Sequence, residues 1–180
     1  MQKRRAKIIK DHKRRGEWAE SVFVARAAEN GLPVSKPLGD SNSFDCVVGR
    51  PGKFVGVQVK CTMVAVESGR GYVCSVKKNN ARYEAGAFDF LAAYVIREDA
   101  WYIIPARVIR GVASVSLCTS EREGRYEEYR EAWHLLRKAT ECGEAEDEPA
   151  GEPEEAAMGP AMRRMQASMN FLRNHFEKSK

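Results

Sequence analysis

Two polar residues interrupt the apolar run "FVGVQVKCT". Because successive side chains of a strand point to opposite faces, Gln58 and Lys60 share one face, about 6–7 Å apart, and the valines occupy the other. This run and "FDCVVG" flank the turn-forming sequence "RPGK", which predicts a β-hairpin. A four-residue loop pairs Gly49 with Phe54 and places Asp45 opposite Gln58, with Cβ atoms about 4.5–5.5 Å apart.

An aspartate, a glutamine and a lysine on one face suit metal-assisted hydrolysis. Carboxylate and amide oxygens are hard donors that Mg²⁺ accepts. A metal beside a phosphodiester activates water, and a lysine next to it orients that water or holds the phosphate. A structural role is the alternative: Asp45 caps the hairpin, Gln58 is a satisfied polar residue, and Lys60 is a charge at the strand end. A second carboxylate, Glu20 in "GEWAE", favours the metal site because it flanks the apolar stripe of a predicted helix.

Hydrophobic periodicity predicts the elements that position these residues. "GEWAESVFVARAAEN" has an apolar stripe at helical spacing and ends at the helix-terminating pair Asn30–Gly31. "YEEYREAWHLLRKA" predicts an amphipathic helix. Strands are expected in "LPVSKP", at a sheet edge, and then in "GYVCSV", "DFLAAYVI", "AWYIIP" and "VASVSL", the last of which closes the sheet. This order predicts an α/β fold with a central mixed sheet, substantially antiparallel and flanked by helices.

Charge is unevenly distributed along the 180 residues, whose formal net charge is +5. The first 15 residues hold eight Lys or Arg and one acidic residue, whereas "ECGEAEDEPAGEPEE" holds eight acidic residues and no basic one. This pattern favours a polyanionic partner such as nucleic acid. We expect a basic arm or helical lead-in at 1–14, a folded domain at 15–138, an acidic disordered linker at 139–158 and an amphipathic helix at 159–180.

Cysteine usage and hydropathy exclude several classes of protein. The five cysteines form no CxxC pair and the three histidines are scattered, so neither a zinc framework nor a secreted disulfide scaffold is expected. The chain has no membrane-spanning apolar stretch, and its basic N-terminus lacks the apolar region of a signal peptide. We therefore expect a cytoplasmic protein whose cysteines act as small apolar residues, without a nucleotide cofactor.

The stretch "KRRGEWAESVFVARAAENGLPVSKPLGDSNSFDCVVG", followed by "FVGVQVKCT", resembles the PD-(D/E)XK nuclease superfamily. More specifically, it resembles the group I intron-associated branch, whose third motif is often QxK. The later stretch "FDFLAAYVIREDAWYIIPA" resembles the same branch. Archaeal Holliday-junction resolvases share this core and its helix–hairpin order. The resemblance covers residues 13–118 and implies a restriction-endonuclease-like core.

The resemblance implies a role for each matched residue. Glu20 corresponds to the helix acid, Asp45 to the metal-binding aspartate and Lys60 to the motif lysine. Gln58 stands in place of the usual second acid, and Val59 offers its backbone carbonyl to the metal. These roles imply Mg²⁺-dependent hydrolysis of DNA phosphodiesters, with Mn²⁺ as a substitute. Within "LGDSNSFD", Asp40 is a rival for the aspartate role.

Basic and amide side chains elsewhere predict contacts with double-stranded DNA. Lysine and arginine neutralise phosphates, and asparagine pairs well with adenine in the major groove. A flexible tail and an ordinary solvated turn are the alternatives for these segments. Cutting a duplex needs two active sites, so we expect a homodimer or higher homo-oligomer; the C-terminal helix either forms that contact or packs on its own core. The predicted DNA-binding residues are Arg14, Arg15, Lys77, Lys78, Asn79, Asn80 and Arg82.

The favoured function is a site-specific, metal-dependent DNA endonuclease of the homing or restriction type. A structure-specific resolvase acting on Holliday junctions and an enzyme acting on damaged DNA are alternatives within the same chemistry. A DNA-binding module that keeps the fold without catalysis is a third reading. The fourth is an interaction protein that recruits a partner through the acidic linker and terminal helix.

Overall fold

The computed structural model describes residues 9–39, 42–50, 52–66, 71–78, 81–118 and 124–141. The chain divides into two units, 1–142 and 143–180, and the described residues all lie in the first. The predicted C-terminal helix and nearly all of the predicted linker fall outside the described residues, as do Asp40, Asn79 and Asn80.

Helix α1 spans His12–Glu29 and begins four residues before Gly16, where the apolar stripe predicts its start. Asp11 precedes it, and its carboxylate accepts a hydrogen bond from the Arg14 backbone N–H at 2.7 Å, which caps the helix. The predicted end is confirmed: Asn30 is the C-cap, and Gly31 follows with a left-handed φ of 72°. Residues 12–14 of the predicted basic arm or helical lead-in therefore belong to helix α1.

Nine strands follow α1 in the described part of the chain. Five of them form the central sheet in the order β1–β2–β3–β7–β8, where β3 and β7 are parallel and the other neighbours antiparallel. The mixed sheet is thus confirmed. The bounds of the strands are β1 Val34–Ser35, β2 Cys46–Arg50, β3 Lys53–Thr62, β4 Gly71–Ser75, β5 Lys77–Lys78, β6 Ala81–Arg82, β7 Phe90–Val95, β8 Ala100–Pro105 and β9 Ser114–Cys118.

The β2–β3 hairpin has the predicted register, with Gly49 opposite Phe54. Pairing continues to Arg50 and Lys53, so the connection is shorter than the four-residue loop expected. Gly49 has a φ of 141°, and a Cβ atom there would collide with the Lys53 carbonyl oxygen. Glycine is therefore required at this position of the hairpin.

Each face of the central sheet is covered by different elements. Val55, Val57 and Val59 pack with α1 and with helix α2, Trp133–Thr140, around the ring of Phe23. The opposite face carries Gln58 and Lys60 in β3 and apolar residues in β7 and β8, and it packs against β4 and β9. The expectation that "VASVSL" closes the main sheet is wrong, because β9 pairs with β4 in a separate two-stranded layer.

The helix predicted over "YEEYREAWHLLRKA" is shorter in the structure. A 3₁₀ turn at Glu127–Tyr129 precedes α2, and Glu131 between them has a φ of 48°. The Glu131 N–H donates to the Trp101 carbonyl at 2.7 Å, and its carboxylate accepts from the Trp101 N–H at 2.7 Å and from Trp133 Nε1 at 2.8 Å. These hydrogen bonds pair backbone groups at the open edge of β8. Their formation interrupts the longer helix that the apolar periodicity predicts.

The described cysteines are free thiols, as the sequence predicts. Burial raises the pKa of the Cys46 and Cys74 thiols to about 12, so both stay protonated and pack as apolar groups. Within the described ranges, neither helix has the length and apolar character that crossing a lipid bilayer requires.

Candidate active site

Asp45, Gln58 and Val59 meet where the start of β2 lies beside the middle of β3. The Asp45 N–H donates to the Val57 carbonyl at 3.0 Å, which extends the hairpin by one residue. Asp45 Oδ2 accepts hydrogen bonds from the Val59 N–H, at 2.8 Å, and from Gln58 Nε2. Gln58 Nε2 also donates to the Val59 carbonyl at 3.3 Å. The hairpin thus brings Asp45 and Gln58 together, as its register predicts, and places the Val59 carbonyl beside the Gln58 amide.

Lys60 lies on the same face of β3 and contacts an aromatic ring. Its Nζ is 5.6 Å from the centroid of the Tyr83 ring, within the range of a cation–π attraction. Tyr83 follows β6 and packs edge-on against Phe88, with centroids 5.0 Å apart. Sequence reasoning missed Tyr83 because no local pattern shows that this loop returns to β3.

Glu20 reaches the cluster from α1, as predicted, and Glu17 is exposed. The Glu20 carboxylate accepts a hydrogen bond from Lys36 Nζ at 2.7 Å. Lys36 directly follows the edge strand β1, which pairs with β2 and so carries the lysine towards the site. Sequence reasoning missed Lys36, since "VSKP" signals only an edge strand.

These side chains line one open cavity of about 330 Å³. The cavity brings together residues from α1, from the segment after β1, from the hairpin and from the loop after β6. Its chemistry-bearing lining residues are Glu20, Lys36, Asn42, Asp45, Gln58, Lys60 and Tyr83.

Opposing charges balance inside this cavity. Burial raises the pKa of Asp45, because desolvation disfavours the carboxylate, and the charge of Glu20 acts in the same direction. The Val59 N–H and the ammonium groups of Lys60 and Lys36 oppose that rise. A bound cation would therefore stabilise the ionised form of Asp45.

The donor set fits a hard divalent cation. Asp45 and Glu20 offer carboxylates, Gln58 an amide oxygen and Val59 a backbone carbonyl, all of them ligands that Mg²⁺ accepts. Among the described residues there is no group of three or more His, Cys, Asp or Glu side chains placed to hold a metal. A cation here would therefore depend on the amide and carbonyl oxygens as well as on the two acids.

The residues predicted to bind DNA lie in different surroundings. Lys77 and Arg82 pair across the small β5–β6 hairpin, where Lys77 is half-buried and Arg82 is exposed. Lys78 lies in β5. Arg14 is exposed in the first turn of α1, so its guanidinium is available to a phosphate.

Arg15 is committed to contacts within the chain. Its Nη1 donates to the Ile9 carbonyl at 3.2 Å, and its Nη2 lies 2.9 Å from His12 Nδ1. The residue is also half-buried. These contacts hold the segment before α1 against the helix and leave Arg15 less available to DNA than Arg14.

A second cavity, of about 510 Å³, shares Tyr83 with the first. Arg82, Arg107 and Arg110 line it, all three are exposed, and none forms an ion pair within the described part of the chain. We call this cavity the arginine groove. Sequence reasoning missed Arg107 and Arg110, which the 3₁₀ turn at Ala106–Ile109 places beside the loop after β6.

Comparison with known proteins gives a family match and a similar solved structure. A model of the family described as PD-(D/E)XK endonuclease matches residues 10–136, which include α1, the hairpin and the whole central sheet. The solved structure of the bacterial homing endonuclease I-Ssp6803I is similar, with 34% sequence identity, a TM-score of 0.61, and coverage of 70% of this chain and 93% of that one. No curated protein sequence gives a significant match.

Proposed function

The chain belongs to the PD-(D/E)XK endonuclease family, and from this membership we propose that it is a metal-dependent DNA endonuclease that hydrolyses phosphodiester bonds at specific sites. One observation carries the proposal: Glu20, Asp45, Gln58 and Lys60 line a single cavity, and Gln58 donates hydrogen bonds to both Asp45 and the Val59 carbonyl. The similarity to a homing endonuclease supports site specificity.

In this proposal the oxygen donors hold Mg²⁺, or Mn²⁺ in its place, and Lys60 acts on the substrate. The ion, when bound, supplies charge stabilisation on the phosphate and lowers the pKa of a water molecule. Asp45, Glu20, Gln58 and the Val59 carbonyl are the groups placed to bind it. Lys60, beside Tyr83, orients the scissile phosphate or the attacking water.

The arginine groove is the path proposed for the DNA backbone next to the scissile phosphate. Its three arginines are free of ion pairs within the described residues, and Tyr83 joins it to the candidate active site. Arginine binds phosphate oxygens in a bidentate geometry. Arg14 and the β5–β6 hairpin with Lys77 are further candidates for backbone contacts. Because each site cuts one strand, we also propose that a homodimer or higher homo-oligomer cuts a duplex.

Cleavage of a pool of randomised duplexes tests this function. The protein is incubated with Mg²⁺, with Mn²⁺ or with EDTA, and the new DNA ends are sequenced. We expect ends that require metal and share a sequence around the cut.

Two other outcomes would redirect the proposal. A cruciform plasmid included in the same reaction identifies a resolvase, because a resolvase would place the ends at the junction regardless of sequence. Salt-sensitive binding of the pool with no new ends in either metal would contradict catalysis and favour a binding module.

A further inference from the structure

Lys36 contacts the acidic side chain that α1 contributes to the candidate active site. Its Nζ donates to Glu20 Oε2 at 2.7 Å, and the two side chains are 47% and 23% exposed. The same cavity contains Asp45, so the ammonium of Lys36 shares one space with both carboxylates. The hydrogen bond raises the pKa of Lys36, which keeps the side chain charged.

Nitrogen donors contact three of the four groups whose oxygens we assign to the cation, and the amide oxygen of Gln58 is the fourth. Lys36 donates to Glu20, while Gln58 Nε2 donates to Asp45 Oδ2 and to the Val59 carbonyl. An ammonium or amide N–H stabilises a carboxylate in the same electrostatic sense as a metal ion does. Groups of the chain itself therefore offset the negative charge of these oxygens. This reduces the repulsion between the carboxylates of Glu20 and Asp45.

We propose that Lys36 is an internal counter-ion of Glu20, and that a divalent cation must displace it before Glu20 can bind the cation. The inference rests on the proposed function, because it concerns the same metal site. The ammonium and the cation compete, since like charges around one carboxylate repel. Lys36 follows an edge strand and is about half exposed, so its side chain can move to solvent when it leaves Glu20. Lys36 therefore weakens the affinity of the site for the ion and holds Glu20 in place without it.

The affinity for Mn²⁺, measured by calorimetric titration in the absence of DNA, tests this competition. Lys36→Met keeps the aliphatic stem and removes the ammonium. We expect its Kd for Mn²⁺ to be about threefold lower than that of the wild type, in line with the loss of a partly exposed ion pair. Lys53→Met is the matched control, because Lys53 is exposed, donates to the Glu141 carbonyl at 2.8 Å and lies outside the cavity. Its Kd should equal that of the wild type.

A second background shows whether the effect passes through Glu20. In Glu20→Gln, adding Lys36→Met should lower the Kd by clearly less than it does in the wild-type background, because the carboxylate for which the two cations compete is gone and only the effect of Lys36 on Asp45 remains. Lys36→Gln provides a second neutral variant, and circular dichroism verifies that each variant is folded.

Three results would overturn the proposal: no gain in affinity in either neutral Lys36 variant, an equal gain in Lys53→Met, or a gain that is undiminished in Glu20→Gln. Equal Mn²⁺ binding by wild type and Lys36→Met would overturn the counter-ion alone and leave the proposed nuclease intact. Mn²⁺ binding by neither protein would overturn the counter-ion together with the metal site, and the cleavage of randomised duplexes would then decide whether nuclease activity survives.

Discussion

At the residue scale, Gln58 accounts for how the candidate site is held together. The residue is 4% exposed, and its Nε2 donates to both Asp45 and the Val59 carbonyl. An amide carries a donor and an acceptor on one plane, so a half-turn about its last bond exchanges them. A glutamine can therefore donate to Asp45 or offer its oxygen to a cation, whereas a glutamate can only accept.

Gln58→Glu tests this double role. The substitution removes the donor and places a second buried negative charge beside Asp45. We expect the free energy of unfolding in EDTA to fall by about 1–3 kcal/mol, because a hydrogen-bonded pair becomes a repulsive one. Saturating Mg²⁺ should recover most of the loss, since the added carboxylate is a metal ligand. Urea unfolding of both proteins in EDTA measures the difference. Equal stability of the wild type and the variant would contradict the assigned hydrogen bonds.

Asp45 gives the site a pH-dependent stability. Burial raises its pKa above the ordinary value of 3.8, so the folded state binds this proton more tightly than the unfolded state does. The contribution of Asp45 to the free energy of unfolding is therefore fully present below pH 3.8 and is lost as the pH rises through the raised pKa. Asp45→Asn still offers an acceptor to the Val59 N–H but cannot ionise.

The expected result is that Asp45→Asn gains stability relative to the wild type between acidic and neutral pH, in EDTA. The gain is about 1.4 kcal/mol for each unit by which the pKa is raised. Urea unfolding of both proteins at pH 3.5 and pH 7 measures it. A relative loss of stability by Asp45→Asn over this interval would show that hydrogen bonding, rather than desolvation, dominates at Asp45.

At the scale of elements, the β2–β3 hairpin determines which side chains meet. Its alternation and turn are local features, so the sequence predicts its register, and with it the proximity of Asp45 and Gln58. Lys36 and Tyr83 enter the site through an edge strand and a returning loop, and their contacts depend on tertiary packing that no local pattern encodes. The break at Glu131 was missed for a related reason, because helical periodicity does not show that β8 leaves an edge to be satisfied.

Gly49→Ala tests the dependence of the site on the hairpin. The φ of 141° and the clash of a Cβ atom with the Lys53 carbonyl predict a loss of about 1–3 kcal/mol in the free energy of unfolding. Gly16→Ala is the matched control, since Gly16 is helical and nothing lies within 4 Å of a Cβ atom there. It should gain about 0.5–1 kcal/mol. Thermal unfolding compares the two, and equal effects would contradict the assigned strain.

At the scale of the whole molecule, the arginine groove and the candidate active site form one proposed DNA-binding surface joined at Tyr83. The sequence predicted basic contacts from charge alone but could not indicate which arginines share a surface. Arg107 and Arg110 follow β8, whereas Arg97 is exposed in the turn at the other end of the β7–β8 hairpin. This separation provides a control of the same residue type.

The salt dependence of DNA binding measures the contribution of the groove. Each phosphate contact contributes about 0.9 to the slope of log K against log salt concentration. Arg107→Ala and Arg110→Ala should each reduce the magnitude of that slope by about 1, while Arg97→Ala leaves it unchanged. Fluorescence anisotropy with a labelled duplex between low and moderate salt gives the slopes. Equal slopes for all three variants and the wild type would exclude the groove from the DNA path.

The most direct test of the proposed active site is metal-dependent cleavage by Lys60→Met beside Lys53→Met, under single-turnover conditions on a duplex selected from the randomised pool. Both variants remove one ammonium from β3, but Lys60 lines the candidate site and Lys53 does not. We expect a rate about 100-fold lower in Lys60→Met and an unchanged rate in Lys53→Met, with DNA binding retained in both. Cleavage by Lys60→Met at the wild-type rate would contradict the assignment of this cavity as the active site.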